Sequence, residues 1–172
     1  MNEVIRAILN RTSCRSFTKE AVTKEQAEIL LDCALHAPSG MGLQTWKFTA
    51  VLNREKIQRL AKAVGKAIGR DASYDMYDPS LLIITSNRKD SRYREVDNAC
   101  AMENLYLGAG ALGLGCVWIN QLLDCCDEPD VREILREFGI PEEHGVYGCA
   151  AVGHAAAPGT GKERIGEKAL VV

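Results

Sequence analysis

Arg11-Thr12-Ser13-Cys14-Arg15 sets two permanent cations and a serine hydroxyl at alternate positions of a five-residue run. In an extended backbone, residues 11, 13 and 15 point the same way, so both guanidiniums and the hydroxyl converge on one spot. A guanidinium grips a phosphate through a planar fork, and each charge-assisted hydrogen bond contributes about 1.5–3 kcal/mol. Lys162 and Arg164 repeat the alternate spacing near the other end of the chain. Cationic clusters at both ends suit a ligand that carries a phosphate and an electron-rich ring. The residues alone leave a solvated turn open as well, because basic side chains are also favoured where a helix ends.

A second candidate is Pro38-Ser39-Gly40-Met41-Gly42-Leu43-Gln44-Thr45-Trp46. Ser39, Gly40 and Gly42 are small enough to let backbone N–H and C=O groups meet a flat ligand edge-on. Gln44 adds a side-chain amide. The plainer reading is a helix-to-strand turn with Trp46 in the core.

These segments need elements to position them. Val4, Ile5, Ile8 and Leu9 share one helical face, so residues 2–10 read as a helix ending just before Arg11. Thr23 and Gln26 form a capping-box pattern for a second helix through Ala37, stopped by Pro38-Ser39-Gly40. Trp46 to Leu52 reads as a strand, and Asn53 caps a helix from Arg54 to about Gly65. Residues 65–80 are polar and irregular, a loop or short lid. Leu81 to Thr85 is a short buried strand. Val96 to Leu112 is a long helix, and Gly115 to Ile119 a strand. Pro129 to Phe138 is a helix with proline near its start. Val146 to Val152 is the last core strand, and an extended tail follows from His154. Helices and strands mix without regular alternation, which predicts an α+β fold over a doubly wound sheet. We expect one domain spanning residues 1–172.

The bulk numbers narrow the classes. With 172 residues and 47% hydrophobic content, the chain can bury a real core. A net charge of −2 and a pI near 6.0 give no electrostatic footprint for nucleic acid or a membrane surface. The most apolar run, Leu105 to Ile119, is too short and glycine-rich to span a bilayer, which needs about 20 residues. Seven scattered cysteines and no signal-peptide pattern point to a reducing cytoplasm.

Other patterns carry less. Gly108-Ala109-Gly110-Ala111-Leu112-Gly113 matches the dinucleotide fingerprint in letters, but it should follow a strand, and helix precedes it here. Gly159-Thr160-Gly161-Lys162 hints at a phosphate loop, yet Glu163 stands where Ser or Thr belongs. His36, His144 and His154 are far apart and no C-x-x-C spacing exists, so no metal is expected. Cys14 points away from its arginine neighbours and reads as a core filler.

Taken in order, the first two segments resemble the flavin-dependent nitroreductase family. Its signature is a basic-x-Ser-x-basic run, a helix, and a Pro-Ser-x-x-Asn-x-Gln-Pro-Trp loop, matched here by Arg11, Ser13, Arg15, Pro38, Ser39, Gln44 and Trp46. The resemblance continues through Gly113-Leu114-Gly115, Trp118-Ile119, Gly153 and Lys162-Glu163-Arg164, and so covers nearly the whole chain. It implies a mostly antiparallel central sheet flanked by helices, and an intertwined homodimer with an extended C-terminal tail. It implies FMN as cofactor. Arg11, Ser13, Lys162 and Arg164, with Thr12 beside them, would hold the phosphate and ribityl chain, and Arg15 the pyrimidine edge. The backbone around Trp118, Ile119, Asn120 and Gln121 would approach the flavin N5. Pro38, Ser39, Gly40, Met41 and Gly42 would come from the partner subunit, with Gln44 at the end of that loop. The implied activity is a ping-pong reduction by NADH or NADPH of a nitroaromatic, quinone or similar acceptor, with no side chain as nucleophile. A flavin-binding carrier, sensor or flavin-modifying relative is the alternative. Two residues depart from the pattern: Gly42 replaces the usual asparagine and Thr45 the usual proline. One lost neutral hydrogen bond weakens binding by about 1 kcal/mol.

Overall fold

The structure is a computed structural model and describes residues 2–159 and 161–167. Its elements are α1 (Glu3–Asn10), α2 (Lys24–Leu35), a 3-10 turn (Gly40–Gly42), β1 (Trp46–Val51), α3 (Arg54–Ala67), β2 (Leu81–Arg88), α4 (Arg94–Ala111), β3 (Gly115–Ile119), α5 (Leu122–Cys125), α6 (Pro129–Glu137) and β4 (His144–Gly153). The four strands form one antiparallel sheet in the order β1-β2-β4-β3. This is the expected α+β architecture.

Strand alternation divides the core between the two sheet faces. Leu82, Ile84, Val117, Ile119 and Cys149 pack with α3, α5 and α6. Leu81, Ile83, Cys116 and Val152 pack with α2 and α4 on the other face. The helix starts follow their caps. Thr23 and Gln26 complete the reciprocal capping box of α2, and the Asn53 side chain accepts from the Lys56 amide at the start of α3.

Three differences from the sequence reading have physical causes. β2 runs three residues past its apolar stretch because its polar side chains find partners. Thr85 donates to the Gly148 carbonyl at 2.8 Å and Ser86 to the Lys47 carbonyl at 3.1 Å. The single-turn helix α5 is too short to show a period. The segment after α3 is no lid. Met76 is buried in the core, and Asp78 is tied to Arg54 at 2.7 Å and Lys19 at 2.6 Å.

The glycine fingerprint is settled by its setting. Gly108 and Gly110 lie inside α4, with no strand before them. A Cβ on Gly108 would stand 3.0 Å from Cys33 Sγ and 3.2 Å from a Leu30 methyl, so this glycine permits the close approach of α2 and α4.

Candidate functional site

The segment after α1 is held extended by backbone pairing rather than by its own side chains. The Cys14 amide donates to the Cys116 carbonyl at 2.9 Å, and Thr18 to His154 at 2.8 Å. Phe17 bridges Ala155, and the Ala156 amide donates back to Ser16. Residues 14–18 therefore extend the sheet past the start of β3 and the end of β4. Cys14 turns into the core, as its alternate position requires. Arg11, Ser13 and Arg15 are left on the outer side.

The tail returns to the same place. A Cβ on Gly159 would stand only 3.0 Å from the Ser13 carbonyl, so glycine is what lets the tail lie flat against residues 12–13. Arg11, Thr12, Ser13, Arg15, Gly161, Lys162 and Arg164 then line one cavity of about 140 Å³. Arg164 Nη2 approaches the Arg11 carbonyl at 3.5 Å. Four cations and two hydroxyls thus face a common space, and among the described residues no carboxylate lines it. This donor set fits a phosphate monoester. Thr160 lies outside the described residues.

Two α4 residues behind the cavity were not picked out from the sequence. Glu103 and Tyr106 lie one turn apart on the helix face toward Arg11. The Arg11 guanidinium sits 4.8 Å over the Tyr106 ring centre, with Nε 3.9 Å from the Glu103 carboxylate. Tyr106 Oη accepts from the Trp118 amide at 2.7 Å and lies 3.2 Å from Ser13 Oγ. The available signal was a lone tyrosine in the mostly apolar, small-residue C-terminal half of the helix, three residues after a glutamate.

Trp118, Ile119, Asn120 and Gln121 close β3 and lead into α5. Ile119 points into the core, so only its backbone faces outward. The Trp118 indole lies against Gly148, where a Cβ would stand 2.6 Å from Nε1. Asn120 is exposed and Gln121 half-buried. The Trp118 amide shares Tyr106 Oη with Ser13, so this strand end and the cationic cavity are neighbours.

Pro38, Ser39, Gly40, Met41, Gly42 and Gln44 do not join that cavity. They form a separate loop whose geometry is unusual. Met41, Gly42 and Gln44 have φ of +55°, +66° and +46°, the left-handed region that few side chains adopt. The Gly40 amide donates to the buried carboxylate of Asp97 at 2.8 Å. The Tyr93 ring lies so close over Gly40 that a Cβ would clash with it. Thr45 donates to Asn87 Oδ1 at 2.7 Å, and Asn87 donates to buried Asn98 at 3.4 Å. Thr45 thus has an anchoring role that proline could not fill. Trp46 packs in the core beside α2 and α4, as the plainer reading had it.

Burial pushes the thiols of Cys116 and Cys149 well above the ordinary range, and that of Cys125 to about 11. These cysteines are protonated core residues.

Known proteins share this fold. A solved nitroreductase with bound FMN from Bacteroides fragilis matches with a TM-score of 0.88 and 34% identity, covering 100% of this chain and 98% of that one. A Bacillus subtilis protein named FMN reductase (NADPH) is 27% identical over 188 residues, 99% of this chain and 73% of its own length. The NADPH-flavin oxidoreductase of Vibrio harveyi is 28% identical over 164 residues, 90% of this chain and 66% of its own length. The sequence profile of the Nitroreductase family matches residues 8–74 and 72–154. The chain belongs to the nitroreductase family.

Proposed function

We propose that this protein is an FMN-dependent oxidoreductase that uses NAD(P)H in a ping-pong cycle to reduce a nitroaromatic, quinone or similar electrophilic acceptor. The observation that carries this reading is the convergence of Arg11, Arg15, Lys162 and Arg164 with two hydroxyls on one small cavity. The FMN-bound Bacteroides fragilis neighbour and the relative named FMN reductase support it. Bound there, FMN supplies the hydride and electron transfer between NAD(P)H and the acceptor, and the protein supplies orientation and charge.

Arg11, Lys162 and Arg164 would neutralise the phosphate, and Ser13 and Thr12 would donate to its oxygens. The backbone of Trp118, Ile119, Asn120 and Gln121 would approach the flavin N5. We assign exposed Arg15 to the pyrimidine edge, where negative charge collects on reduction. Arg15→Gln should lower the flavin midpoint potential by roughly 20–40 mV for a two-electron couple. An unchanged potential removes that role from Arg15.

The homodimer is part of the same proposal. Every residue of α1 is exposed, and Val4, Ile5, Ile8 and Leu9 are each about half or more accessible. An apolar groove lined by Val4, Ala7, Ile29, Cys33 and Leu107 runs between α1, α2 and α4. A second copy of this chain is the occupant that covers both. In that dimer the Pro38–Gly42 loop, whose Met41 is 83% exposed, serves the partner's flavin. Sedimentation equilibrium of the purified protein checks the assembly. Among the described residues no helix is long and apolar enough to cross a membrane. Seven scattered cysteines suit a reducing cytoplasm, which is the location we propose.

The deciding experiment is an absorption spectrum of the purified protein, then anaerobic titration with NADH and NADPH. A yellow protein whose flavin band bleaches rapidly is the expected result. Yellow protein that resists bleaching identifies a carrier or sensor, and a colourless protein that takes up no FMN ends the proposal.

A further inference from the structure

We propose that Tyr106 is the positioning residue that aims Ser13 and Arg11 at the phosphate, and so sets the preference for FMN over the phosphate-free flavin. The inference rests on the phosphate reading of the Arg11–Arg164 cavity. It starts from proton bookkeeping at one oxygen. A backbone amide can only donate, so the Trp118 N–H at 2.7 Å makes Tyr106 Oη an acceptor. The phenol retains one hydrogen, and Ser13 Oγ stands 3.2 Å away. A phenol is a better donor and a poorer acceptor than an aliphatic hydroxyl, because its lone pair is drawn into the ring. The hydrogen of Tyr106 therefore goes to Ser13, and the hydrogen of Ser13 is left for an anion in the cavity.

The result is a relay of one sense: Trp118 amide to Tyr106, Tyr106 to Ser13, Ser13 to the phosphate. Each donor is polarised by the one behind it. Tyr106 is 8% exposed, so water does not compete strongly for its hydroxyl. Its ring meanwhile supports the Arg11 guanidinium, with the Glu103 carboxylate 3.9 Å from Arg11 Nε on the same face of α4. One side chain thus fixes a hydroxyl and a cation of the cavity, and ties both to the strand end assigned to the flavin ring.

The test separates phosphate from ring. Dissociation constants for FMN and riboflavin are measured by quenching of flavin fluorescence, in the full-length protein and in Tyr106→Phe, Ser13→Ala and the double variant. Tyr106→Phe keeps the ring under Arg11 and removes only Oη. We expect FMN affinity to fall about tenfold in Tyr106→Phe, as for a misaligned charge-assisted donor, with riboflavin affinity unchanged. The double variant should lose no more than Ser13→Ala alone, because Tyr106 acts through that serine. Equal losses for FMN and riboflavin, or additive losses in the double variant, overturn the role of Tyr106 while leaving the phosphate site in place. A wild-type protein that binds riboflavin as tightly as FMN overturns the phosphate reading, and this inference with it. Should Tyr106→Phe fail to fold, Tyr106→Leu, which fills the space without the ring or the hydroxyl, reports on the same support. The expected result is again a loss confined to FMN, and parallel losses overturn the proposal.

Discussion

The cationic cavity and the Pro38–Gln44 loop were both read as cofactor-contacting segments, and they are built in opposite ways. The cavity is assembled within one chain. Sheet-like pairing of residues 14–18 and the close return of the tail at Gly159 bring its groups together. The loop is turned outward. Three of its residues take left-handed backbone angles, and Met41 presents a bare side chain to solvent. Such angles persist only where the surroundings over-determine them. Here the buried Asp97 carboxylate and the Tyr93 ring hold Gly40 from behind. On the proposed reading, charge recognition is a single-chain device, and ring recognition an offered surface that a second copy completes.

The division is tested most strongly by removing one charge. Arg11→Ala deletes a permanent cation whose side chain is only 21% exposed, and a charge-assisted pair of this kind contributes about 1.5–3 kcal/mol. FMN affinity should fall by about 10–100-fold, with riboflavin binding unchanged. Titration of both flavins checks it. A matching loss for riboflavin would mean that Arg11 shapes the ring site as well.

Asp97→Ala attacks the other region. It leaves the Gly40 amide without its acceptor, at about 1–3 kcal/mol. A melting temperature lower by about 3–8 °C follows for a chain of this size. FMN and riboflavin affinity should fall in parallel, because the loop is proposed to serve the ring. Asp97→Asn keeps an acceptor oxygen and should restore much of both. Loss of FMN binding alone would erase the distinction between the two regions.

The two basic runs that line the cavity were legible in the sequence. The alternate spacing of Arg11, Ser13 and Arg15, and of Lys162 and Arg164, is a local property that the strand period exposes. That the two runs meet depends on Cys14 pairing with Cys116 and on Gly159 lying against Thr12. Those are contacts between residues more than a hundred positions apart, which no period encodes. Tyr106 and Asp97 were missed for a related reason. Each sits within the α4 pattern, and its role appears only once a distant backbone amide is brought to it. Of the two readings of residues 65–80, the loop holds past the end of α3, and the short lid took polarity for freedom. Met76 is an apolar anchor inside that polar stretch, and Asp78 closes it with two cations.

That pinned segment serves as a control for the exposed loop. Met76, Tyr77 and Asp78 also have positive φ, but the strain is held by the core and by charge. Arg54, then Lys19, lower the Asp78 carboxyl from 3.8 to about 2. A depressed acid stabilises the folded state above the unfolded pKa near 4, and that stability disappears as pH falls toward 2. For a side chain 28% exposed, the contribution is about 1–2 kcal/mol after solvent screening. Asp78→Asn should lower stability to denaturant at neutral pH by that amount and match the wild type near pH 2. Flavin affinity should not change. A change in flavin affinity would show that this segment reaches the site after all.

The smallest expected effect is the most pointed, because it concerns a residue that departs from the family pattern. Gly42 has φ +66°, and a Cβ there meets nothing within 4 Å. Asparagine tolerates the left-handed region better than other side chains. Glycine and asparagine can therefore hold the same backbone at this position, and what differs is one amide. Gly42→Asn should leave the melting temperature nearly unchanged and tighten flavin binding about fivefold, the worth of one neutral hydrogen bond near 1 kcal/mol. Gly42→Val, barred from this φ by its branched side chain, should instead cost about 1–2 kcal/mol of stability. An equal gain for FMN and riboflavin in Gly42→Asn locates the restored contact at the ring. A gain confined to FMN would carry the loop to the phosphate end, and the two regions would no longer divide the ligand between them.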